Sequence, residues 1–372
     1  MRYFTILTVF ILFCGLQSNA QVSSYQGGEF YPVQTYNVKF SDSKKPKNVI
    51  LLIGNGMGLS HVYAGMTANG GRLFLNNFKH TGFSTTFSAS GYITDPAAAG
   101  TALSCGVKTI NGYIGMDTDK KTVVNIREVA AKMGKSTGIV STSALTDATP
   151  AAFVAHKPNV NMYEEIAEDY VNSNIDVFIG GGLTHFINRH DNGNLADFLK
   201  GKGYQVLTDI EKIGKVSGGK LAGFVAYESA GRLSERGNML PVSTNTAINI
   251  LKNNKAGFFL VVESGHIDLG SHENDVNYVV EEMLDFDRTI AVALEFAVKN
   301  KETLVVVTGN HETGGFSVYN GDFKSGMVTG NFTTGMHTGD MVPVYAFGPA
   351  AGFFEGFMNN TDIPRLINKL MK

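Results

Sequence analysis

Short apolar runs separated by amphipathic stretches make up most of this chain. Residues 48–53 form an apolar run that a glycine ends, and similar runs recur at 136–141, 175–179, 257–263, 303–308 and 343–347. Runs of this length without alternation are typical of strands buried on both faces of a parallel sheet. Between them, apolar positions recur at helical spacing at 125–133, 162–171, 244–251, 274–299 and 363–370. Strands that alternate with helices predict an α/β layered fold, with a central, mostly parallel sheet and helices on both faces.

The same pattern predicts the domain organisation. Residues 21–46 are polar, contain Gly and Ser, and end in a basic run, which indicates an N-terminal arm. Residues 47–372 contain no repeat, no low-complexity tract and no clear linker, so we expect them to form one domain. The Gly-rich, polar stretch 182–237 is expected to be an insertion or a lid beside the sheet.

Residues 1–20 have the pattern of a secretory signal peptide. Arg2 supplies the positive charge, an apolar stretch extends to Leu16, and Ser18, Asn19 and Ala20 form a small-residue cleavage site. The alternative is a membrane anchor, but the apolar stretch is shorter than the roughly 18 residues that a membrane-spanning helix needs. The sequence therefore predicts an exported protein, periplasmic or secreted, with no membrane span in the mature chain.

Composition limits the classes of function without selecting one. The 372 residues are 43% hydrophobic, and 31 Lys and Arg against 33 Asp and Glu leave a net charge of -2. This balance argues against a broad basic surface for nucleic acid and against a highly charged disordered chain. Of the two cysteines, only Cys105 would remain after signal cleavage, which excludes a disulfide scaffold and a Cys-rich zinc site.

Candidate metal ligands follow several of the predicted strands. Glu263, Asp268 and His272 follow one strand, His311 follows another, and His337 precedes the last. Ligands of open α/β sheets bind beyond the carboxyl ends of the strands, so we expect these side chains to converge. Asp268, His272 and His337 would leave a fourth position open, which is the pattern of a catalytic zinc site.

Two further oxygen ligands suggest a second kind of ion. Glu263 and the hydroxyl of Thr149 are hard ligands that suit magnesium. Each also has an ordinary structural interpretation. Glu263 would then belong to a buried ion pair, and Thr149 would cap a helix before Pro150.

Six segments together resemble the alkaline phosphatase family. They occur in the family's order and extend over most of the predicted catalytic edge: NVILLIGNGMGL at 48–59, YITDPAAAGTALSCGVKTI at 92–110, VSTSALTDATPAAFVAHK at 140–157, VESGHIDLGSHE at 262–273, VTGNHETGGFS at 307–317 and MHTGDM at 336–341. The resemblance implies a fold built for phosphomonoester hydrolysis. In that family a serine attacks the phosphorus between two zinc ions, an arginine holds the phosphate, and a magnesium site supports the chemistry.

The resemblance assigns metal ligands position by position. The first zinc site is complete, with Asp268, His272 and His337, and the magnesium site keeps Thr149 and Glu263 with Asp147 nearby. The second zinc site keeps only His311. The family has aspartate at the positions of Asn55 and Asn310, and a neutral amide is a much poorer ligand for a dication than a carboxylate.

Two further departures affect the reacting groups that the resemblance implies. The family's nucleophilic serine corresponds to Pro96, which has no hydroxyl and no backbone N–H. The arginine that holds the phosphate corresponds to Val160, which removes a bidentate donor. Lys157 is a candidate substitute for that arginine, as a point charge without the planar fork. Thr94 would substitute for the serine only with a changed loop, and Thr101 and Ser104 lie too far along the predicted helix.

Three functional hypotheses follow. The first is an exported homologue of the alkaline phosphatases that has lost the second metal and the nucleophile: a weak enzyme or a pseudoenzyme that binds zinc, magnesium or both, and phosphate or a phosphomonoester if it has a ligand. The second is an active phosphatase that uses zinc-bound water or a displaced hydroxyl. The third, hydrolysis of diesters or sulfate esters, would still need a nucleophile at the same turn. The family resemblance also suggests a homodimer.

Overall fold

The computed structural model describes residues 22–372, so the predicted signal peptide at 1–20 lies outside the described residues. Strands occur at β1 Ser23–Tyr25, β2 Asn48–Gly54, β3 His80–Thr85, β4 Ser136–Ala144, β5 Val177–Gly181, β6 Tyr204–Leu207, β7 Lys220–Phe224, β8 Phe258–Ser264, β9 Thr303–Gly309, β10 Glu312–Thr313, β11 Phe316–Asp322, β12 Met327–Phe332, β13 His337–Thr338, β14 Val342–Phe347 and β15 Gly356–Asn359.

Helices connect these strands. They are α1 Leu59–Ala68, α2 Pro96–Cys105, α3 Ile126–Lys132, α4 Ala148–Ala151, α5 Tyr163–Asn172, α6 Thr184–Ile187, α7 Leu195–Gly201, α8 Ile210–Ile213, α9 Leu233–Arg236, α10 Met239–Leu251, α11 His266–His272, α12 Val276–Asn300 and α13 Asp362–Met371, with 3₁₀ turns at Phe74–Asn77 and Ala351–Phe354. Within residues 22–372, none of these helices has both the length and the apolar composition needed to cross a bilayer.

Ten strands form the main sheet, in the order β15-β3-β14-β9-β2-β8-β4-β5-β7-β6. The strands from β9 to β6 in this order are mutually parallel, and β14 runs antiparallel to both of its neighbours, β3 and β9. The prediction of a mostly parallel sheet is therefore confirmed, with one reversed strand. This reversal matters for the site, because the segment before β14 reaches the edge where the parallel strands end.

The central strands are buried on both faces. In β2, Ile50 and Leu52 pack into a core with residues of α1, α10 and α12. The alternate residues Val49, Leu51 and Ile53 pack into a second core with residues of α2, α3, α5 and α13. Successive side chains of a strand point to opposite faces, so a continuous apolar run supplies both cores at once. This explains why the six apolar runs, without alternation, were sound predictors of strands.

The segment 182–237 differs from its prediction as an insertion or lid. It contributes β6 and β7, which extend the parallel sheet at one edge. The glycines and polar residues of this segment gave no clear strand pattern. In particular, β6 has only four residues and is partly exposed, so it lacks a continuous apolar run. The N-terminal arm also contains a strand, since Ser23–Tyr25 pairs with β12. A second contact holds the arm to α12, because the Tyr31 hydroxyl donates to Asp287 Oδ2 at 2.7 Å.

A buried ion network fixes α9 against α12. The guanidinium of Arg236 lies 2.6 Å from Glu282 Oε2 and 2.8 Å from Asp285 Oδ2. The side chains of Arg236, Glu282 and Asp285 are each no more than 2% exposed. The free-energy cost of burying these charges is offset here only because each charge has a partner of opposite sign.

Replacing Arg236 by methionine is expected to lower the free energy of unfolding by about 3–5 kcal/mol, because two buried carboxylates would lose their cation. Urea unfolding followed by circular dichroism measures the change. Arg365→Met is the matched control, since Arg365 pairs with Asp362 at an exposed surface, where a pair contributes about 1 kcal/mol or less. Equal losses in the two variants would contradict the assigned role of burial.

Candidate metal centre and adjoining cavity

One edge of the main sheet gathers the polar side chains that the sequence singled out. Asn55 follows β2, Glu263 lies near the end of β8, and Asn310 and His311 follow β9. These three strands are parallel neighbours, so their carboxyl ends meet at this edge. His337 precedes β14, and it reaches the same edge because β14 runs antiparallel to β9.

Three side chains at this edge have the geometry of a metal centre. Asp268 and His272 lie one turn apart on α11, and His272 Nε2 is 3.4 Å from Asp268 Oδ2. His337 Nε2 is 3.8 Å from Asp268 Oδ1. One potential ligand atom from each of the three residues lies within 4.8 Å of the others. The structure therefore brings together the three residues predicted for the first zinc site.

Hydrogen bonds orient both histidines of this group. His272 Nδ1 lies 2.8 Å from the carbonyl oxygen of Gly335, and His337 Nδ1 lies 3.2 Å from that of Thr94. A carbonyl only accepts, so each Nδ1 must hold a proton, and each ring presents the lone pair of Nε2 to an ion when Nε2 is deprotonated. Asp268 raises the pKa of His272 to about 9, so a cation binding there would displace a proton. His337 Nε2 is buried and has no hydrogen-bond partner among residues 22–372. The Asp268, His272 and His337 side chains therefore fit a divalent cation such as Zn²⁺.

Gly56 allows the backbone after β2 to approach this centre. Its φ of +76° lies in the left-handed region, and a Cβ at this position would be 2.8 Å from both Cα and Oδ1 of Asp268. The closeness of the two segments thus depends on the absence of a side chain at residue 56.

We expect Gly56→Ala to weaken zinc binding at least about tenfold, because the added methyl displaces Asp268. Competition with a chromogenic zinc chelator measures the affinity. Gly112→Ala is the matched control: Gly112 has a similar φ of +87°, but a Cβ there meets nothing within 4 Å. If both variants lost affinity equally, backbone strain rather than displacement of Asp268 would be the cause.

His311 lies beside the three-residue group without belonging to it. Its ring centroid is 4.0 Å from that of His337, and its buried Nε2 has no hydrogen-bond partner in the part of the chain that the structure describes. Burial lowers the pKa of His311 to about 3, and the neighbouring His337 acts in the same direction. His311 is therefore a neutral imidazole, the form that binds metals.

The two asparagines are hydrogen-bonded to each other. Asn310 Nδ2 donates to Asn55 Oδ1 at 2.8 Å, and Asn55 Nδ2 donates to Glu263 Oε1 at 3.2 Å. Asn310 Nδ2 also donates to Thr149 Oγ1 at 3.2 Å. The structure thus brings together four of the residues predicted around the second zinc and the magnesium, although the oxygens of Asn55, Glu263 and Thr149 are already engaged.

The environment of these groups is acidic and desolvated. Burial raises the pKa of Glu263 to about 7, with hydrogen bonds from Ser141, Thr149 and Asn55 acting in the opposite direction. Burial also raises the pKa of Asp147 to about 6, and a hydrogen bond from the Ala144 backbone opposes that shift. Groups with perturbed pKa values in a concave site are typical of functional sites.

A cavity of about 460 Å³ opens next to these residues, and Pro96 and Val160 both line it. Pro96 is the first residue of α2, where Asp95 caps the helix by accepting from Ala98 N at 2.8 Å. Proline suits a first helical turn, so the fold tolerates it where a hydroxyl would face the cavity. Val160 also lines the cavity and packs against the apolar core.

The candidate substitutes for the missing groups are engaged elsewhere. Lys157 Nζ lies 2.9 Å from Asp169 Oδ2, and Lys157 is not among the residues that line the cavity. The Thr94 hydroxyl donates to the carbonyl of Asp95, and that of Thr101 donates to the carbonyl of Tyr113. Lys157 was a candidate substitute for the arginine, and in this structure it is paired with Asp169 outside the cavity lining.

The sequence did not single out a further polar chain at this cavity. Ser229 Oγ, which lines the cavity, lies 2.6 Å from His266 Nε2, and His266 Nδ1 lies 2.6 Å from the Tyr278 hydroxyl. Burial lowers the pKa of His266 to about 4. Ser229 lies in the segment 182–237, where no motif marked it, whereas the proximity of His266 to Asp268 was a signal that the sequence offered.

Comparison with known proteins agrees with this geometry. A family model described as alkaline phosphatase matches residues 46–329. Alkaline phosphatase 4 of Bacillus subtilis is 33% identical over 94% of this chain and 94% of its own length. The alkaline phosphatase of Escherichia coli is 30% identical over 89% of this chain and 87% of its own length.

Solved structures agree as well. The alkaline phosphatase from the Antarctic bacterium TAB5 superposes with a TM-score of 0.83 and 38% identity, over 88% of this chain and 98% of that one. A mutant of that enzyme, equally similar, has Mg bound in its M3 site. Fold and site together define a phosphatase-type protein of a metal-dependent class. The chain belongs to the alkaline phosphatase family.

Proposed function

We propose that this chain is an exported, metal-binding member of the alkaline phosphatase family that has lost the family's serine-based phosphomonoesterase mechanism. One observation supports the proposal above all others. The cavity beside the candidate metal centre is lined by Pro96 and Val160, where the family resemblance implies a nucleophile and a phosphate-binding arginine.

The position of Pro96 argues against a covalent phosphoserine intermediate. Proline has no hydroxyl to attack a phosphorus atom, and it has no backbone N–H to hold a phosphate oxygen. Because Pro96 begins α2 and Asp95 caps the same turn, its location at the cavity is rigid. The hydroxyls that already line the cavity, such as those of Ser143, Thr149 and Ser229, belong to other segments of the chain.

The charges of the cavity also disfavour a phosphate. Four of its lining residues are carboxylic acids, Asp95, Asp147, Glu263 and Asp268, and none of its lining residues within the described chain is lysine or arginine. A phosphomonoester dianion would therefore meet like charges, offset only by bound cations. Lys157 does not change this balance, since Asp169 pairs with it.

One divalent ion would be held by Asp268, His272 and His337. Such an ion, when bound, supplies Lewis-acid polarisation of an oxygen atom of the ligand. The chain's own residues do the rest: Gly335 and Thr94 orient the two imidazoles, and Thr313 donates a hydrogen bond to Asp268 Oδ1. We propose zinc as the ion, on the basis of the two imidazoles and one carboxylate.

A wild-type assay with metal analysis tests this proposal. We expect the mature protein, purified with Zn²⁺ and Mg²⁺, to contain about one zinc ion per chain and to hydrolyse a chromogenic phosphomonoester near the background rate. Activity within about tenfold of ordinary relatives, together with two zinc ions per chain, would overturn it. Cell fractionation tests export, and size-exclusion chromatography tests the homodimer that the family suggests.

The alternative is an active phosphomonoesterase that uses a displaced hydroxyl. The hydrogen bond between Ser229 Oγ and His266 Nε2 favours it, because an imidazole that accepts the hydroxyl proton can activate the oxygen. This role requires the Ser229 proton to leave the Thr142 carbonyl, to which the hydroxyl also donates at 3.2 Å. Ser229→Ala would then abolish any hydrolysis that the wild type shows. Unchanged hydrolysis in Ser229→Ala would exclude this hydroxyl.

A further inference from the structure

Asn310, Asn55 and Glu263 form a continuous hydrogen-bond chain across the ends of three strands. Asn310 follows β9, Asn55 follows β2, and Glu263 lies in β8, so the chain links neighbouring strands at the site. All three side chains are buried. The chain passes through the region where the family resemblance implies the second zinc and the magnesium.

The backbone determines how the two amides are oriented. Asn310 Oδ1 accepts from Gly56 N at 3.1 Å and from His311 N at 2.9 Å. A backbone N–H only donates, so the amide oxygen of Asn310 must face these groups and its nitrogen must face Asn55. Since Asn55 Oδ1 accepts from that nitrogen, Asn55 Nδ2 is left to donate to Glu263 Oε1.

The second carboxylate oxygen of Glu263, at the other end of this hydrogen-bond chain, also has a hydrogen-bond partner. Ser141 Oγ donates to Glu263 Oε2 at 2.5 Å. Neither asparagine nor Glu263 has a buried polar atom without a partner, whereas His337 Nε2 and His311 Nε2 both do. A cation between these side chains would have to break bonds that are already made, and each broken bond would leave a buried donor unpaired.

We infer that this amide chain takes the structural place of metal ions in this half of the site, so the edge of the sheet keeps its shape without a second divalent ion. The residues fit one cation at Asp268, His272 and His337, and they do not fit a second zinc or a magnesium beside Asn55. The inference goes beyond the loss of activity, since it concerns what holds the site together and would stand whether or not the protein hydrolyses a phosphomonoester.

Aspartate at either position would conflict with this arrangement when no ion is present. In Asn310→Asp, the second carboxylate oxygen would face Asn55 Oδ1. Turning the Asn55 amide would satisfy that oxygen and would move the conflict to Glu263 Oε1. In Asn55→Asp, a carboxylate oxygen would face Glu263 directly. No rotation of these side chains supplies the missing hydrogen, so only a bound cation or an added proton would relieve the repulsion between the facing oxygens.

The double variant Asn55→Asp/Asn310→Asp tests the inference by stability and ion count rather than by activity. In EDTA we expect its thermal unfolding midpoint to lie at least about 3 °C below that of the wild type. Zn²⁺ and Mg²⁺ should restore the midpoint and raise the bound ions from about one per chain to two or more. Asn161→Asp/Asn172→Asp, which adds two charges at exposed positions, should show neither effect.

Two results would overturn the inference. One is a double variant that is as stable as the wild type in EDTA. The other is a wild type that binds two or more ions per chain, a measurement that remains decisive if the double variant fails to fold. In addition, we expect the backbone amides of Gly56 and His311 to stay protected from hydrogen exchange in EDTA-treated wild-type protein. Rapid exchange at both amides would show that the hydrogen-bond chain does not persist without a second ion.

Discussion

Phosphomonoesterase activity should rise by about a thousandfold or more when Pro96→Ser is combined with Asn55→Asp, Asn310→Asp and Val160→Arg. Removal of a nucleophile alone costs about a million-fold in a serine protease, so restoring a nucleophile can have an effect of this order. The serine needs the other three changes. Two carboxylates would allow a second ion to bind near His311, and an arginine at 160 would counter the acidic cavity with a bidentate donor.

The measurement is initial-rate hydrolysis of a chromogenic phosphomonoester with Zn²⁺ and Mg²⁺ present. Pro96→Ser alone should change little, because Asn55 and Asn310 would still be hydrogen-bonded to each other. The matched control is the same four-site variant with Pro96→Ala, which has the new ligands and no hydroxyl, and it should stay near background. Strong activity in Pro96→Ser alone would show that our account of the second metal position is wrong.

Zinc should be lost almost completely from His272→Ala. Removing this imidazole leaves Asp268 and His337 as the two remaining members of the group, so we expect the affinity for Zn²⁺ to fall at least about a hundredfold. His272 is a suitable residue to remove because its side chain is 30% exposed, so little core packing is lost. Zinc per chain by elemental analysis and titration against a competing chelator measure the change.

His80→Ala is the control for this change. His80 also pairs with a carboxylate, that of Glu355, at the protein surface and apart from the three-residue group. Its loss should leave zinc content and affinity unchanged. If His272→Ala kept one zinc ion per chain at wild-type affinity, the ion would have to bind elsewhere, and the assignment of the centre to Asp268, His272 and His337 would fall.

The fold was largely predictable, for a physical reason that β2 illustrates. Its continuous apolar run supplies side chains to both cores, and that requirement is local and visible in the sequence. By contrast, β6 and β7 at the sheet edge are short and partly polar, so the segment 182–237 offered no comparable signal. The antiparallel direction of β14 was also hidden, because an apolar run has the same appearance in either direction.

The candidate site was also predictable only in part. The residue types at 268, 272 and 337 predicted a metal centre, and the structure shows that Asp268 and His272 lie one turn apart on α11. His337 reaches them only because β14 is reversed in the sheet. The assignment of zinc and magnesium to these positions stays a prediction that the metal analyses test.

The amino-acid sequence alone establishes that Pro96 carries no hydroxyl, Val160 no guanidinium, and Asn55 and Asn310 no carboxylate. It also determined the family, through six motifs in order. What these groups contact depends on how the strands are arranged in the folded chain. Three strand ends bring the two amides and Glu263 within hydrogen-bond distance, and backbone N–H groups orient the first amide. In the sequence, Asn55 and Asn310 look like lost metal ligands. In the folded chain both amides have satisfied hydrogen bonds, because groups that are remote in sequence meet at one edge of the sheet.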